Sequence, residues 1–243
     1  MKTSSPRTSR PIARGFTLVE VLVVVAIVGL LVGILVPSLY QARALAQRGS
    51  CGLNLREVGR ACVTFANTTR FHRDGVRGAL PRTEGLTSGN WGDLDDGNAA
   101  ALWDLTDKDL IGVDVLLCPA AKAHLGLRAP KLEDNGFQPD TYSYSYLSQV
   151  GFATPLQKAP GDLVLAADRN PRCTPGEPSI DESENGKNSR NHGREGQNVV
   201  TQNGDARWLD NTTKASGDDD IYQSGTDDSS GERENIEDSF VIP

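Results

Sequence analysis

Histidine is scarce in this chain. There are three in 243 residues, and His72, His124 and His192 stand too far apart to form the close pairs that metal-binding helices and fingers use. Glycine is plentiful, yet nowhere does it build the loop that cradles phosphate ahead of a helix. No serine or cysteine stands beside an evident base, so a catalytic nucleophile is missing as well. These absences argue against an enzyme, and we expect neither a catalytic residue nor a bound cofactor. Acidic residues are missing from the first fourteen positions, where Lys2, Arg7, Arg10 and Arg14 are the only charges. Beyond them bases fall short, 21 against 32 acids, a balance of −11 in a chain of formal charge −7. An acidic domain of this kind is a poor partner for nucleic acid, which attracts basic patches.

What is present begins with Arg14-Gly15-Phe16-Thr17-Leu18-Val19-Glu20, followed by sixteen residues, Val21 to Val36, that are all apolar or glycine. With Phe16 to Val19 the run reaches about 20 residues, the length of a helix that crosses a hydrocarbon core. Glu20 alone interrupts it. A carboxylate there costs a few kcal/mol if it faces lipid unpartnered, so it is either functional or paired. The bias of Lys and Arg towards the cytoplasm keeps residues 1–14 inside and sends everything after the segment out. Three readings of the run compete. A cleaved secretory signal would use Ala44-Leu45-Ala46 as its small-x-small site, but its apolar core is about 7 to 15 residues, shorter than this one. An uncleaved anchor fits the length and leaves the Gly-Phe junction and Glu20 unexplained.

The third reading is a family one. Gly15-Phe16-Thr17-Leu18-Val19-Glu20, after a short basic leader and before an apolar helix, resembles the class III signal of type IV pilins and type II secretion pseudopilins. The resemblance implies cleavage by a prepilin peptidase between Gly15 and Phe16, followed by N-methylation of Phe16. Glu20 would then meet the new amine of a neighbouring subunit, which removes two unpaired charges from the apolar phase at once. The alternative is that Glu20 merely complements the positive end of its own helix, worth up to about 1 kcal/mol. Pro37, just past the run, removes a helical hydrogen bond. A kink is expected there because Leu39 to Gln47 resumes strong helix formers.

Further on, Cys51, Leu55, Val58, Cys62 and Phe65 recur at spacings of four, three, four and three, one stripe of a helix that extends from about Phe16 to Asn67. If Cys51 and Cys62 share that helix they lie about 16 Å apart, beyond the roughly 7 Å limit for a bridge. Any disulfide therefore includes Cys118 or Cys173, and four unpaired buried thiols are the equal alternative. Residues 68–97 have loop composition. Asn98 is placed to cap a short helix reaching Leu110, with Ala99, Leu102, Trp103, Thr106 and Leu110 on one side. Val113 to Leu117 has the look of a strand stopped by Pro119. His124 belongs to a small helical turn. Tyr142, Tyr144 and Tyr146 alternate with serines, the pattern of a half-buried strand, against which an aromatic binding platform is the competing reading. Leu163 to Ala167 is a buried strand, and residues 172–191 form a loop.

Asn203-Gly204 between Gln197 to Gln202 and Asp205 to Asp210 signals a two-residue hairpin. With Asn191-His192-Gly193 upstream and Leu165 to Pro171 before that, this region resembles the C-terminal signature of a large group of pilin-like proteins, abundant in planctomycetes. In that group a histidine precedes an Asp-Gly turn by nine residues. Here ten separate His192 from Asn203, and the turn is Asn-Gly. We place His192 packed or hydrogen-bonded at the loop base, with a ligand role as the alternative; nothing in the spacing requires it to meet Asp168 or Asp205. The end of the chain is acidic and poor in apolar residues, a solvated tail by composition. Asp218, Asp219, Asp220, Asp227 and Asp228 are its candidate calcium donors, although no segment has the spacing of a calcium loop. Ile221-Tyr222 and Phe240 to Ile242 could add short edge strands.

The expected fold is α+β: one long N-terminal helix, transmembrane in its first half and amphipathic in its second, packed on a small antiparallel sheet. The boundaries expected are a leader at 1–15, a membrane helix at 16–40, a globular domain at 41–210 and an acidic tail at 211–243. The resemblance implies a structural subunit of a type II secretion pseudopilus or related filament. Its partners would be the prepilin peptidase, copies of itself or sister subunits, and the inner-membrane assembly platform with its ATPase. The competing function is a secreted or anchored periplasmic or surface binding module.

Overall fold

A computed structural model describes residues 15–68, 78–83, 97–134, 136–149, 155–174, 177, 179–213, 219–224 and 239–242. The chain divides into two compact units, residues 1–43 and 44–243. One helix, α1 (Leu18–Thr68), contributes to both. In the first unit every described residue from Gly15 to Arg43 is exposed. Large apolar side chains such as Leu22, Ile27, Leu31 and Leu35 therefore have no cover from the chain itself. This stretch is long and apolar enough to cross a membrane. Pro37 lies inside α1, and the helix continues on both sides of it.

In the second unit α1 changes character. Cys51, Leu55, Val58, Gly59, Ala61, Cys62, Phe65 and Ala66 are buried, the stripe that the sequence spacing marks. It covers one face of a five-stranded antiparallel sheet built from β1 (Tyr144–Leu147), β2 (Val164–Asp168), β3 (Gln197–Thr201), β4 (Ala206–Leu209) and β5 (Val241–Ile242), in the order β4-β3-β2-β1-β5. The main core joins the α1 stripe to Tyr144, Tyr146, Leu165, Ala166 and Val200. Val164, Ala167, Val199, Leu209, Ile221, Tyr222 and Val241 make a second core. The β2–β3 register shifts between Val164 and Ala166. That bulge lets the adjacent residues Leu165 and Ala166 join the same core. Two short helices, α2 (Ala100–Asp107) and α3 (Pro119–Leu125), add Leu102, Trp103, Leu105 and Ala121 to the main core.

Several expectations need correction. Val113 to Leu117 is not a strand: Val113–Leu116 is a 3-10 helix. A short apolar run does not distinguish the two, and Pro119 opens α3 at its first turn rather than closing a strand. Asn98 does not cap α2, which ends at Asp107 and whose N-cap residue is Ala99. Its buried amide instead donates to the carbonyls of Tyr146 and Ile242, and its oxygen accepts from Gln149 N–H. The tyrosine strand is not half-buried, since Ser143 and Ser145 are buried along with all three tyrosines. The serines tolerate this because Ser143 Oγ donates to Leu116 O and Ser145 Oγ accepts from Tyr142 OH and Asn170 N–H.

The hairpin loop has three residues, not two. Gly204 N–H donates to Thr201 O and Thr201 N–H to Asp205 O, with Gly204 at φ +81°, a type I turn followed by a left-handed glycine. The tail is not a separate solvated segment throughout. Ile221, Tyr222, Phe240, Val241 and Ile242 are buried, and β5 pairs with β1 through Tyr146 opposite Ile242 and Leu147 opposite Val241. Acid-rich composition hides these apolar residues from an average taken over the segment.

Candidate functional site

Two places carry the residues of interest. The first is the start of α1. Thr17 O accepts the first helical hydrogen bond from Val21 N–H, which makes Thr17 the cap. Thr17 N–H and Oγ1–H both donate to Glu20 Oε2, at 2.8 and 2.7 Å, and Glu20 N–H donates to Thr17 Oγ1 at 3.3 Å. This is a reciprocal capping box. It gives the charge in the apolar run a local partner while leaving it exposed. No described atom lies within 4 Å of where a Gly15 side chain would begin, so the backbone at Gly15 is open. At Pro37 the neighbouring Ser38 Oγ donates to Leu35 O at 2.8 Å, a side-chain bond where the proline ring has removed a main-chain donor.

The second place lies inside the globular unit. Asp168, the last residue of β2, is fully buried. Its Oδ1 accepts from Asn191 Nδ2 at 3.0 Å, and its Oδ2 accepts from Asn198 N–H at 2.6 Å and Asn198 Nδ2 at 3.2 Å. His192 Nε2 lies 3.1 Å from the same Oδ2 and 3.3 Å from Asn198 Nδ2. A 3-10 turn, Arg190–His192, presents the histidine: Ser189 Oγ accepts from Asn191 N–H, and Gly193 ends the turn at φ +62°. The His192 and Trp208 rings also meet edge to face, centroids 5.1 Å apart. A Cβ at Gly196 would lie 2.5 Å from the Trp208 ring, so only glycine lets the indole lie there. Arg48 stacks over the Trp208 ring at 4.3 Å and pairs with Glu195. Beside the imidazole, Cys118 Sγ is 3.7 Å from Nε2 and is disulfide-bonded to Cys51.

His192 thus sits at the base of the hairpin, as its position suggests. The structure also brings it to Asp168, a meeting that no spacing in the sequence requires. Asn203 and Gly204 occupy the opposite end of the hairpin, where Asn203 N–H donates to Gly161 O. Asp205 supplies a main-chain carbonyl there and is not among the residues around His192. Asp168, Asn191, Asn198, Cys51 and Cys118 carry no signal that would join them, apart from the pairing limits on Cys51. Of the calcium candidates, Asp218, Asp227 and Asp228 lie outside the described residues. Asp219 Oδ2 accepts from Ser239 N–H, and Asp220 accepts from Thr212 Oγ1–H, Gln223 Nε2 and Tyr222 N–H, so both serve internal donors. Burial pushes the Asp220 carboxyl up, against the pull of the Thr212 and Tyr222 hydrogen bonds.

Residues 10–36 match the family described as the prokaryotic N-terminal methylation motif. None of the curated proteins and none of the solved structures matches the chain.

Proposed function

From a chain whose methylation motif, long apolar helix and small antiparallel sheet fit a type IV pilin-like protein, we propose a structural subunit of a type II secretion pseudopilus or a closely related filament. One observation carries the proposal. The segment from Phe16 to Val36 is helical from Leu18, exposed throughout, and interrupted by a single acid at Glu20. A greasy rod with no cover of its own requires lipid or other rods.

The peptidase cuts between Gly15 and Phe16 and frees an amine, which is then methylated. In the membrane Glu20 is satisfied by its capping box with Thr17. On assembly it exchanges that bond for the cationic amine of a neighbouring Phe16, a charge-assisted contact and the stronger of the two. The inner membrane is the reservoir, with residues 1–15 cytoplasmic before cleavage and residues 44–243 outside. The assembly platform and its ATPase supply the work, and the subunit itself performs no catalysis. Enclosure of His192 and Asp168, whose side chains are 3% and 0% exposed, favours that non-enzymatic reading. Burial of Tyr142, Tyr144 and Tyr146 removes the aromatic part of the surface that a binding module would use and leaves it only the acidic loops.

Mass spectrometry of the mature N-terminus tests the proposal. A chain starting at methylated Phe16 is expected, whereas one starting near Gln47 belongs to a secreted module. Glu20→Leu should leave processing intact and reduce cross-linked multimers in the membrane about tenfold or more, since a lost buried charge pair costs several kcal/mol. Multimers at the wild-type level would sink the proposed exchange.

A further inference from the structure

The two Sγ atoms of Cys51 and Cys118, a His192 ring nitrogen and an Asp168 carboxylate oxygen all lie within 4.8 Å of one another, and all four residues are buried. A bridge between two cysteines needs neither an imidazole nor a carboxylate beside it. Here both are delivered and held. The ligand atoms around tetrahedral zinc, on arms of about 2.0 to 2.3 Å, stand roughly 3.3 to 3.8 Å apart. His192 Nε2 is already 3.7 Å from Cys118 Sγ and 3.1 Å from Asp168 Oδ2. Two thiolates, one imidazole and one carboxylate form a donor set that suits zinc, whereas calcium and magnesium call for oxygen alone. The outer contacts are those that orient ligands: Asn191 and Asn198 fix the carboxylate, Asn191 is itself tied to Ser143 O, and Trp208 braces the ring.

We propose that while Cys51 and Cys118 are thiols, the form in which the chain is made, these four side chains hold one divalent cation, zinc by its donor chemistry. The disulfide is the state that replaces it. Binding releases the two thiol protons. His192 would bind through an Nε2 that carries no proton, and Asp168 through a carboxylate oxygen. Replacement needs an oxidant of the disulfide class. The two thiolates give up two electrons and join in one S–S bond, the oxidant's S–S bond breaks, it leaves as two thiols after taking up two protons, and the cation is freed. The metal would thus clamp four points, namely α1, the residue before α3, the end of β2 and the turn at His192, and the disulfide that replaces it joins the first two.

The test uses the full chain in detergent, reduced with a phosphine, stripped of metal and titrated with Co²⁺ as a spectroscopic stand-in. One Co²⁺ per chain is expected, with tetrahedral d–d bands and thiolate-to-cobalt charge transfer that Zn²⁺ abolishes. The oxidised chain should show none of these bands. Cys62→Ser with Cys173→Ser should keep them, and His192→Ala should weaken binding about tenfold or more. In the reduced wild type, Zn²⁺ should also slow maleimide labelling of Cys51 and Cys118, read peptide by peptide, a measurement that depends on no variant folding. The proposal is overturned if the reduced wild type gives no saturable band, if the band survives in the oxidised chain or in Cys51→Ser with Cys118→Ser, or if Zn²⁺ leaves labelling of Cys51 and Cys118 unchanged.

Discussion

The carboxylate of Asp168 is surrounded by donors from Asn191 and Asn198 and by the His192 ring, and its own main-chain oxygen accepts from Tyr222 OH at 2.7 Å. A buried carboxylate is tolerable only with such company, and the donors in turn depend on it. Asp168→Ala should therefore lower the free energy of unfolding by about 3 to 5 kcal/mol, the usual cost of stripping one member from a buried charged cluster. Denaturant titration reads it, and a loss below about 1 kcal/mol would mean that water already serves these groups. A second residue is defined by what burial denies it. Cys62 is enclosed in the main core, and burial pushes its thiol up to about 12 despite a hydrogen bond with Tyr146. At pH 8 the native chain should resist alkylation at Cys62 and react there only on unfolding; rapid labelling without denaturant would contradict the packing. At this scale the sequence was informative only where chemistry is local. Glu20 declared itself as one acid in an apolar run, whereas Asp168 had no mark, because its neighbours come from β3 and from the loop before it.

Among the elements, α1 and β3 meet at a point that leaves no space for a side chain. A Cβ on Gly59 would stand 2.6 Å from Val200 Cγ2. Gly59→Ala gains about 1 kcal/mol of helix propensity and loses about 1 to 3 kcal/mol to overpacking, so a small net destabilisation is expected. Gly59→Leu should cost distinctly more, and a rise in melting temperature for either would refute the close approach. The loop carrying the turn at His192 is pinned differently. Glu184 pairs with Lys187, Arg190 and Arg194. Burial raises its pKa, but hydrogen bonds from Arg194 and Arg190 outweigh that and hold it below the ordinary 4.5. A depressed carboxylate contributes stability above its unfolded value and loses it as the pH falls through the folded one. Glu184→Gln should therefore weaken the chain at pH 7 and reduce the drop in stability between pH 7 and pH 3, as urea titrations at both values would show. Elements with one strong period were legible: α1 from its apolar stripe, β2 from Leu163 to Ala167, the hairpin from Asn203-Gly204. Val113 to Leu117 was not, because a run this short, four apolar residues around Asp114, fits a helical turn as well as a strand. β5 was not certain, because Val241 and Ile242 follow a long acid-rich stretch.

For the molecule, the Cys51–Cys118 bridge closes a loop with a sequence separation of 67. Reducing it with a chelator present should cost about 4 kcal/mol by the loop-entropy argument, measured as a shift in the denaturant midpoint of the full chain. Sheet order adds a further dependence. β5 pairs with β1, Asn98 donates to Ile242 O, Asn170 donates to Val241 O at 2.9 Å, and Val241 N–H donates to Ile221 O. Removing residues 239–243 should leave an unpaired edge and a breached core, seen as loss of cooperative unfolding and rapid proteolysis. The distance in sequence between β1 and β5 has a consequence for timing. Until residues 239–242 have been made and brought back, β1 is an open edge on which another chain's strand could pair, so closing that edge is a long-range and therefore slow step of folding.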